Sequence, residues 1–256
     1  MRHLTGILFA LLAALAAHAQ QPPRMTWVRY YEIVPGKEAE FIQLVRTSNA
    51  VVDRLVAEKK VVAWGLLVPM SQIPDSWTHA VYVTLQDYAS LETLVNAAIA
   101  DYASLPADQR AKHDAVMRNA IRSTRDEVLH HVVQSEAMPA SKPKYVAIRT
   151  YSIKPDRHAD ATALFSEWAK PVFNDVLAKG KFGPWGFSTQ EETFRTGGWT
   201  HMVWTFMSDL TALDDLDAAF ATLGATKLRG FDIRLRDMSD PGEMRGQLLR
   251  IVHAVP

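Results

Sequence analysis

Cysteine is absent from this chain of 256 residues. That excludes disulfide staples, thiol nucleophiles, iron–sulfur clusters, cysteine zinc sites and thioether-attached haem, and leaves packing as the source of stability. An excess of one charge is missing as well, since Lys+Arg and Asp+Glu both number 28. With no run of five basic residues there is no electrostatic footprint for nucleic acid or anionic lipid, and neither is an expected partner. The glycines are scattered and build no P-loop, dinucleotide fingerprint or nucleophile elbow. No His-x-His or HExxH spacing occurs, and the adjacent His130-His131 pair would face opposite sides of a strand, so no metal site is expected.

Long apolar runs are confined to the start. Arg2, an apolar run from Ile7 to Ala17, and Ala17-His18-Ala19 together read as a signal peptide over residues 1–19, cleaved between Ala19 and Gln20. The run falls short of the roughly 20 apolar residues that a membrane span needs. The mature chain is therefore expected in the periplasm or secreted, with no membrane contact after cleavage. Its 48% apolar content is enough for substantial cores.

What is present is a repeat. Arg29, Tyr31, Ile33 and Pro35 recur 120 positions on as Arg149, Tyr151, Ile153 and Pro155; Trp64-Gly65 recurs as Trp185-Gly186, and Trp77-Thr78-His79 as Trp199-Thr200-His201. Small slips in the offset mark loop insertions between corresponding elements. The spacing predicts a first module over 20–138, a linker over 139–144 and a second module over 145–256. Within each, strands read at Trp27–Val34 and Tyr145–Ile153, then a long amphipathic helix, a hairpin (Val61–Val68 with Trp77–Leu85, Phe182–Ser188 with Trp199–Met207), a second helix and a closing strand. Pro171 inside the second module's first helix predicts a kink. Pro106–Arg125, with mixed charges, reads as a solvated helix. The order βαββαβ is the ferredoxin-like unit. The fold class is therefore α+β: two tandem ferredoxin-like modules packed sheet to sheet, because each sheet needs cover on the face its helices leave bare.

The run Arg149-Thr150-Tyr151-Ser152-Ile153-Lys154-Pro155, the helix with Trp168 and Pro171, Trp185-Gly186, and Thr200-His201-Met202-Val203-Trp204-Thr205-Phe206 resemble the NIPSNAP-like branch of the dimeric α/β-barrel superfamily. The first module matches through Arg29, Tyr31, Pro35-Gly36, Trp64-Gly65 and His79. The resemblance implies an intrachain barrel enclosing pockets, in a superfamily that spans cofactor-free monooxygenases, isomerases, haem enzymes and proteins without known activity. Fold analogy does not choose among these.

Candidate catalytic residues are His201 and His79, each two residues after a tryptophan, and Arg149 and Arg29. Alternation puts Trp77, His79, Val81, Val83 and Leu85 on one face. A histidine there can act as acid, base or ligand, or simply pack with its ring hydrogen-bonded. Arginine with tyrosine two residues on, as in Arg149/Tyr151 and Arg29/Tyr31, can hold a carboxylate or enolate, or pair with an acidic neighbour. The expected ligand pocket comprises Tyr151, Tyr31, Trp185, Trp64, Trp199 and Trp77, the tryptophans serving equally well as core. The leading expectation is an exported protein that binds a small, mostly apolar ligand. The alternatives are a cofactor-independent monooxygenase or isomerase, and a non-catalytic interaction protein. No cofactor is expected, haem on a strand histidine being the one exception kept open. A homo-oligomer is compatible with all three.

Overall fold

The structure, a computed structural model, describes residues 24–255 apart from 71–76, 136–141, 181, 192–197 and 241–243. The expected signal segment, half of the linker and most of both hairpin turns lie outside the described residues. The first half runs β1 (Met25–Ile33), α1 (Glu38–Ser48), α2 (Ala50–Ala57), β2 (Ala63–Pro69), β3 (His79–Leu85), α3 (Tyr88–Ser104), α4 (Ala107–Ala120) and β4 (Ile121–Gln134). The second runs β5 (Tyr145–Tyr151), α5 (His158–Leu164), α6 (Lys170–Ala178), β6 (Phe182–Gln190), β7 (His201–Met207), α7 (Ala212–Thr222), α8 (Ala225–Met238) and β8 (Arg245–Val255).

Each half thus has two helices more than the plain βαββαβ unit: its first helix is in two segments, and an extra helix precedes the last strand. The segment expected as a solvated helix over Pro106–Arg125 ends at Ala120, buries Val116 and Ala120, and hands residues 121–125 to β4. Its counterpart α8 went unanticipated although Phe231, Leu235 and Met238 form an apolar stripe along it. The expected kink at Pro171 takes the form of a π-helical turn over Phe165–Ala169. Pro171 has no N–H and its ring crowds the carbonyl four residues back, and a widened turn relieves both. At the equivalent place in the first half, the helix breaks between α1 and α2 at Asn49.

The strands close into an antiparallel barrel in the order β1-β3-β2-β8-β5-β7-β6-β4. Each half contributes a four-stranded sheet, β4-β1-β3-β2 or β8-β5-β7-β6, and the seams are β2 against β8 and β4 against β6. Each half's last strand therefore pairs with the other half's second strand, which leaves no open edge.

Strand alternation divides the buried side chains into three cores. One lies between the first sheet and its helices, with Phe41, Val52, Trp64, Val81 and Val83; a second lies between the other sheet and its helices, with Phe165, Phe173, Trp185, Phe187 and Val203. The third draws on strands of both halves and on no helix, with Val28, Tyr30, Ala80, Tyr82, Leu129, Val146, Met202 and Leu249. It lines the barrel lumen.

The repeated Trp-Gly pairs serve both sides of the sheet. Trp64 and Trp185 are fully buried on the helix side, their indole N–H groups donating to Asp53 (2.7 Å) and Asn174 (3.0 Å). The glycines face the lumen and make room for a neighbouring aromatic ring. A Cβ at Gly65 would stand 2.7 Å from the Tyr82 ring, and one at Gly186 would stand 2.7 Å from Trp204 Cε2. We predict that Gly186→Ala costs about 1–3 kcal/mol through this overpacking, whereas Gly246→Ala, whose Cβ meets nothing within 4 Å, stays within about 0.5 kcal/mol of wild type. Thermal unfolding of the two variants checks this, and equal melting temperatures would remove the steric role assigned to Gly186.

Candidate functional site

The strand histidines are built into the sheet by the threonines before them. Thr78 Oγ1 accepts the Ile33 N–H at 3.0 Å and lies 2.9 Å from His79 Nδ1; Thr200 Oγ1 accepts the Ile153 N–H at 2.8 Å and lies 2.8 Å from His201 Nδ1. Each threonine ties the end of a first strand to the start of a third and fixes the next ring. His79 packs edge-on against Phe41, while His201 stacks on Phe187 and meets His158 edge-on at 4.8 Å. Burial holds His79 below the usual histidine range, partly offset by Glu38. The rings are 3% and 0% exposed, enclosed between aromatic side chains. Neither presents an open face to haem, so the residues do not fit that cofactor. Among the described residues no group of three His, Cys, Asp or Glu could hold a metal ion.

The expected pocket residues do not all come together. Tyr31, His79 and Trp64 lie on the helix side of the first sheet, and Tyr151, His201 and Trp185 on the helix side of the second. Trp77 departs from the face expected for it. It precedes β3, turns into the lumen and packs on Tyr30 at 5.0 Å, and Trp199 packs partly against the same core. Strand alternation was extended two residues too far, into a segment that is no longer extended in the ladder.

The two arginines differ. Arg29 is clamped by Asp126 across the strand pair, Nε to Oδ1 and Nη2 to Oδ2, both at 2.7 Å, and its pKa is raised chiefly by that hydrogen bond. Arg149 occupies the equivalent position, but the residue opposite it in the ladder is Gly246. Among the described residues no carboxylate forms an ion pair with Arg149. It lies beside the Tyr151 hydroxyl, whose pKa burial pushes up to about 12. Tyr151 therefore remains an O–H donor at neutral pH. Beneath this pair is an aromatic wall, with Phe165 stacked on Phe187 at 4.0 Å and meeting Phe231 edge-on at 5.7 Å.

A polar group inside the lumen was not anticipated. Arg125, Glu127 and His131 share one face of β4 and point inward, opposite Tyr30 and Val28 of β1 and Ser188 of β6 respectively, with Thr26 within reach of His131. Ser188 accepts the Trp204 indole N–H at 2.9 Å and lies 2.7 Å from His131 Nδ1. His131 Nε2 in turn lies 2.9 Å from Thr26 Oγ1, and Thr26 lies 3.1 Å from Thr84. Every member of this chain is satisfied by the next. Burial lowers the His131 pKa to about 3, with smaller contributions from His130 and Arg24.

This geometry defines a dimeric α/β-barrel fold, closed by eight antiparallel strands within one chain. Comparison with solved structures agrees. The "Putative monooxygenase" of Fusobacterium nucleatum subsp. nucleatum superposes with a TM-score of 0.63 at 10% identity, covering 92% of this chain and 95% of that one. The "putative monooxygenase" of Lactobacillus acidophilus gives 0.61 at 9%, covering 91% and 96%. An anthrone oxidase-like protein gives 0.52 at 13%, covering 93% and 94%. At such identities the likeness is one of fold. No protein-family model and no curated protein sequence matches the chain.

His131 gives the stability a pH dependence. In the unfolded chain it titrates near the usual 6.5, while in the fold it stays neutral down to about 3. Between those values the unfolded state binds the extra proton, so stability falls as pH drops from about 6.5 toward about 3, by up to about 1.4 kcal/mol per pH unit. Above about 6.5 the contribution is fully present. Denaturant unfolding at pH 7 and pH 5 should show a larger loss for wild type than for His131→Gln; equal losses would contradict the buried neutral histidine.

Proposed function

We propose that the protein binds a small, largely apolar molecule carrying one anionic group, at the outer face of the second half beside Arg149 and Tyr151. The observation that carries this reading is the exchange of Asp126 for Gly246. The first half neutralises its arginine internally, whereas the second leaves a guanidinium available next to a phenol donor and an aromatic wall. A guanidinium and an O–H together suit a carboxylate or enolate, and the rings suit its apolar body. The expected sites are therefore inequivalent, with one ligand per chain. We further propose that the protein acts outside the cytoplasm after loss of residues 1–19, and that its tandem modules belong with the NIPSNAP-like branch.

The second reading is a cofactor-independent monooxygenase or isomerase. It is supported by the names of the structural neighbours and by the π-helical turn at Phe165–Ala169, a feature that recurs at functional sites. In that reading Arg149 and Tyr151 stabilise a developing enolate, and His201, packed against His158, is the proton acceptor.

Calorimetric titration with 2-naphthoate tests the binding reading. Arg149→Ala should weaken binding at least tenfold, and Gly246→Asp, which rebuilds the first half's clamp in open space, should do the same without loss of fold. Unchanged affinity in both variants would overturn the assignment.

A further inference from the structure

We infer that the barrel lumen holds a second ligand site, centred on Gln190, for a small molecule presenting an N–H donor beside a carbonyl acceptor: a lactam or another cis amide. This site is separate from the one beside Arg149, which lies on the opposite face of the sheet.

Gln190 is the last residue of β6 and pairs in register with Leu129, a member of the lumen core. Paired residues share a face, so its side chain points inward. It is only 7% exposed, yet neither its amide oxygen nor its amide nitrogen has a hydrogen-bond partner among the described residues. Buried polar atoms are nearly always satisfied, and a primary amide with both atoms unmatched is unusual.

The surroundings do not supply the match. Leu129 opposite is apolar, and Ser188, two residues back on the same face, is engaged by His131 and Trp204. The lumen is not filled solid, because Ile148, Trp204 and Phe206 face it and still keep partial exposure.

The chemistry of the amide selects the ligand. Its donor and acceptor lie side by side in one plane, and the complement is a group with acceptor and donor side by side, as in a lactam. A carboxylate offers acceptors alone, leaves the Gln190 oxygen unmatched, and meets the buried carboxylate of Glu127 diagonally across on β4. Trp204, whose indole bonds Ser188 two residues back on the same face, favours a flat ring. The equivalent position in the first half is Pro69, paired with Leu249, and proline has no such side chain. One lumen site per chain follows.

The test uses the whole mature chain, 15N-labelled, with 2-pyridone as probe. The Gln190 side-chain NH2 resonances should shift saturably at one equivalent, benzoate should leave them in place, and Gln190→Leu should lose 2-pyridone binding while retaining 2-naphthoate binding. If 2-pyridone leaves the Gln190 NH2 resonances unmoved, or binds Gln190→Leu as well as wild type, the lumen site is overturned and the amide is matched by bound water. Because the 2-naphthoate arm reads Arg149 alone, failure of either site is seen independently of the other.

Discussion

Exchange of the terminal strands is the constraint on which everything else rests. A ferredoxin-like half has two open sheet edges, β2 and β4 in the first and β6 and β8 in the second, and one uncovered sheet face. Backbone groups at an edge must be paired, and an apolar face must be covered. Pairing β4 with β6 and β8 with β2 meets both demands in one step. It closes the ladder and turns the two uncovered faces toward each other as a lumen. Having both halves in one chain keeps the partner sheet at high effective concentration, so closure does not depend on meeting a second molecule.

Closure also gives the sheet two inner environments with different chemistry. On the helix side, aromatic and aliphatic side chains dominate, and polar atoms are used for internal ties: the indole bonds to Asp53 and Asn174, and the threonine clasps on His79 and His201. In the lumen, β4 threads polar groups through the core, and His131 joins Ser188, Thr26 and Thr84 in one hydrogen-bonded chain. A fully satisfied chain of this kind fixes register at the β4–β6 seam, since a one-residue slip would turn His131 out and leave Ser188 without it.

Against this near-symmetric frame, the differences between halves stand out. Asp126 against Gly246, Pro69 against Gln190, and Glu38 against His158 each occupy equivalent positions and change the chemistry there. The first half reads as the neutralised one. Its arginine is clamped, its histidine faces a carboxylate-bearing helix start, and its lumen position is a proline. The two halves place equivalent positions in matching surroundings, and single ladder positions distinguish them.

By itself the sequence determined the repeat, the α+β class and the pairing of sheets. Local patterns carry that information: alternation in β1 and β7, helical spacing from Leu164 to Leu177, and the offset of 120 to 122 residues between copies. Missing cysteine and balanced charge likewise bounded the chemistry without any coordinates. What only the tertiary structure decided is which face each residue serves and what stands opposite it. Trp77 and His79 read as one face until the strand was seen to begin at His79, and Arg29 and Arg149 read as equivalents until the ladder placed Asp126 before one and Gly246 before the other. Partners in a closed barrel are set by register between strands about a hundred residues apart, and no local pattern along the chain encodes a register that exists only once the ladder has closed.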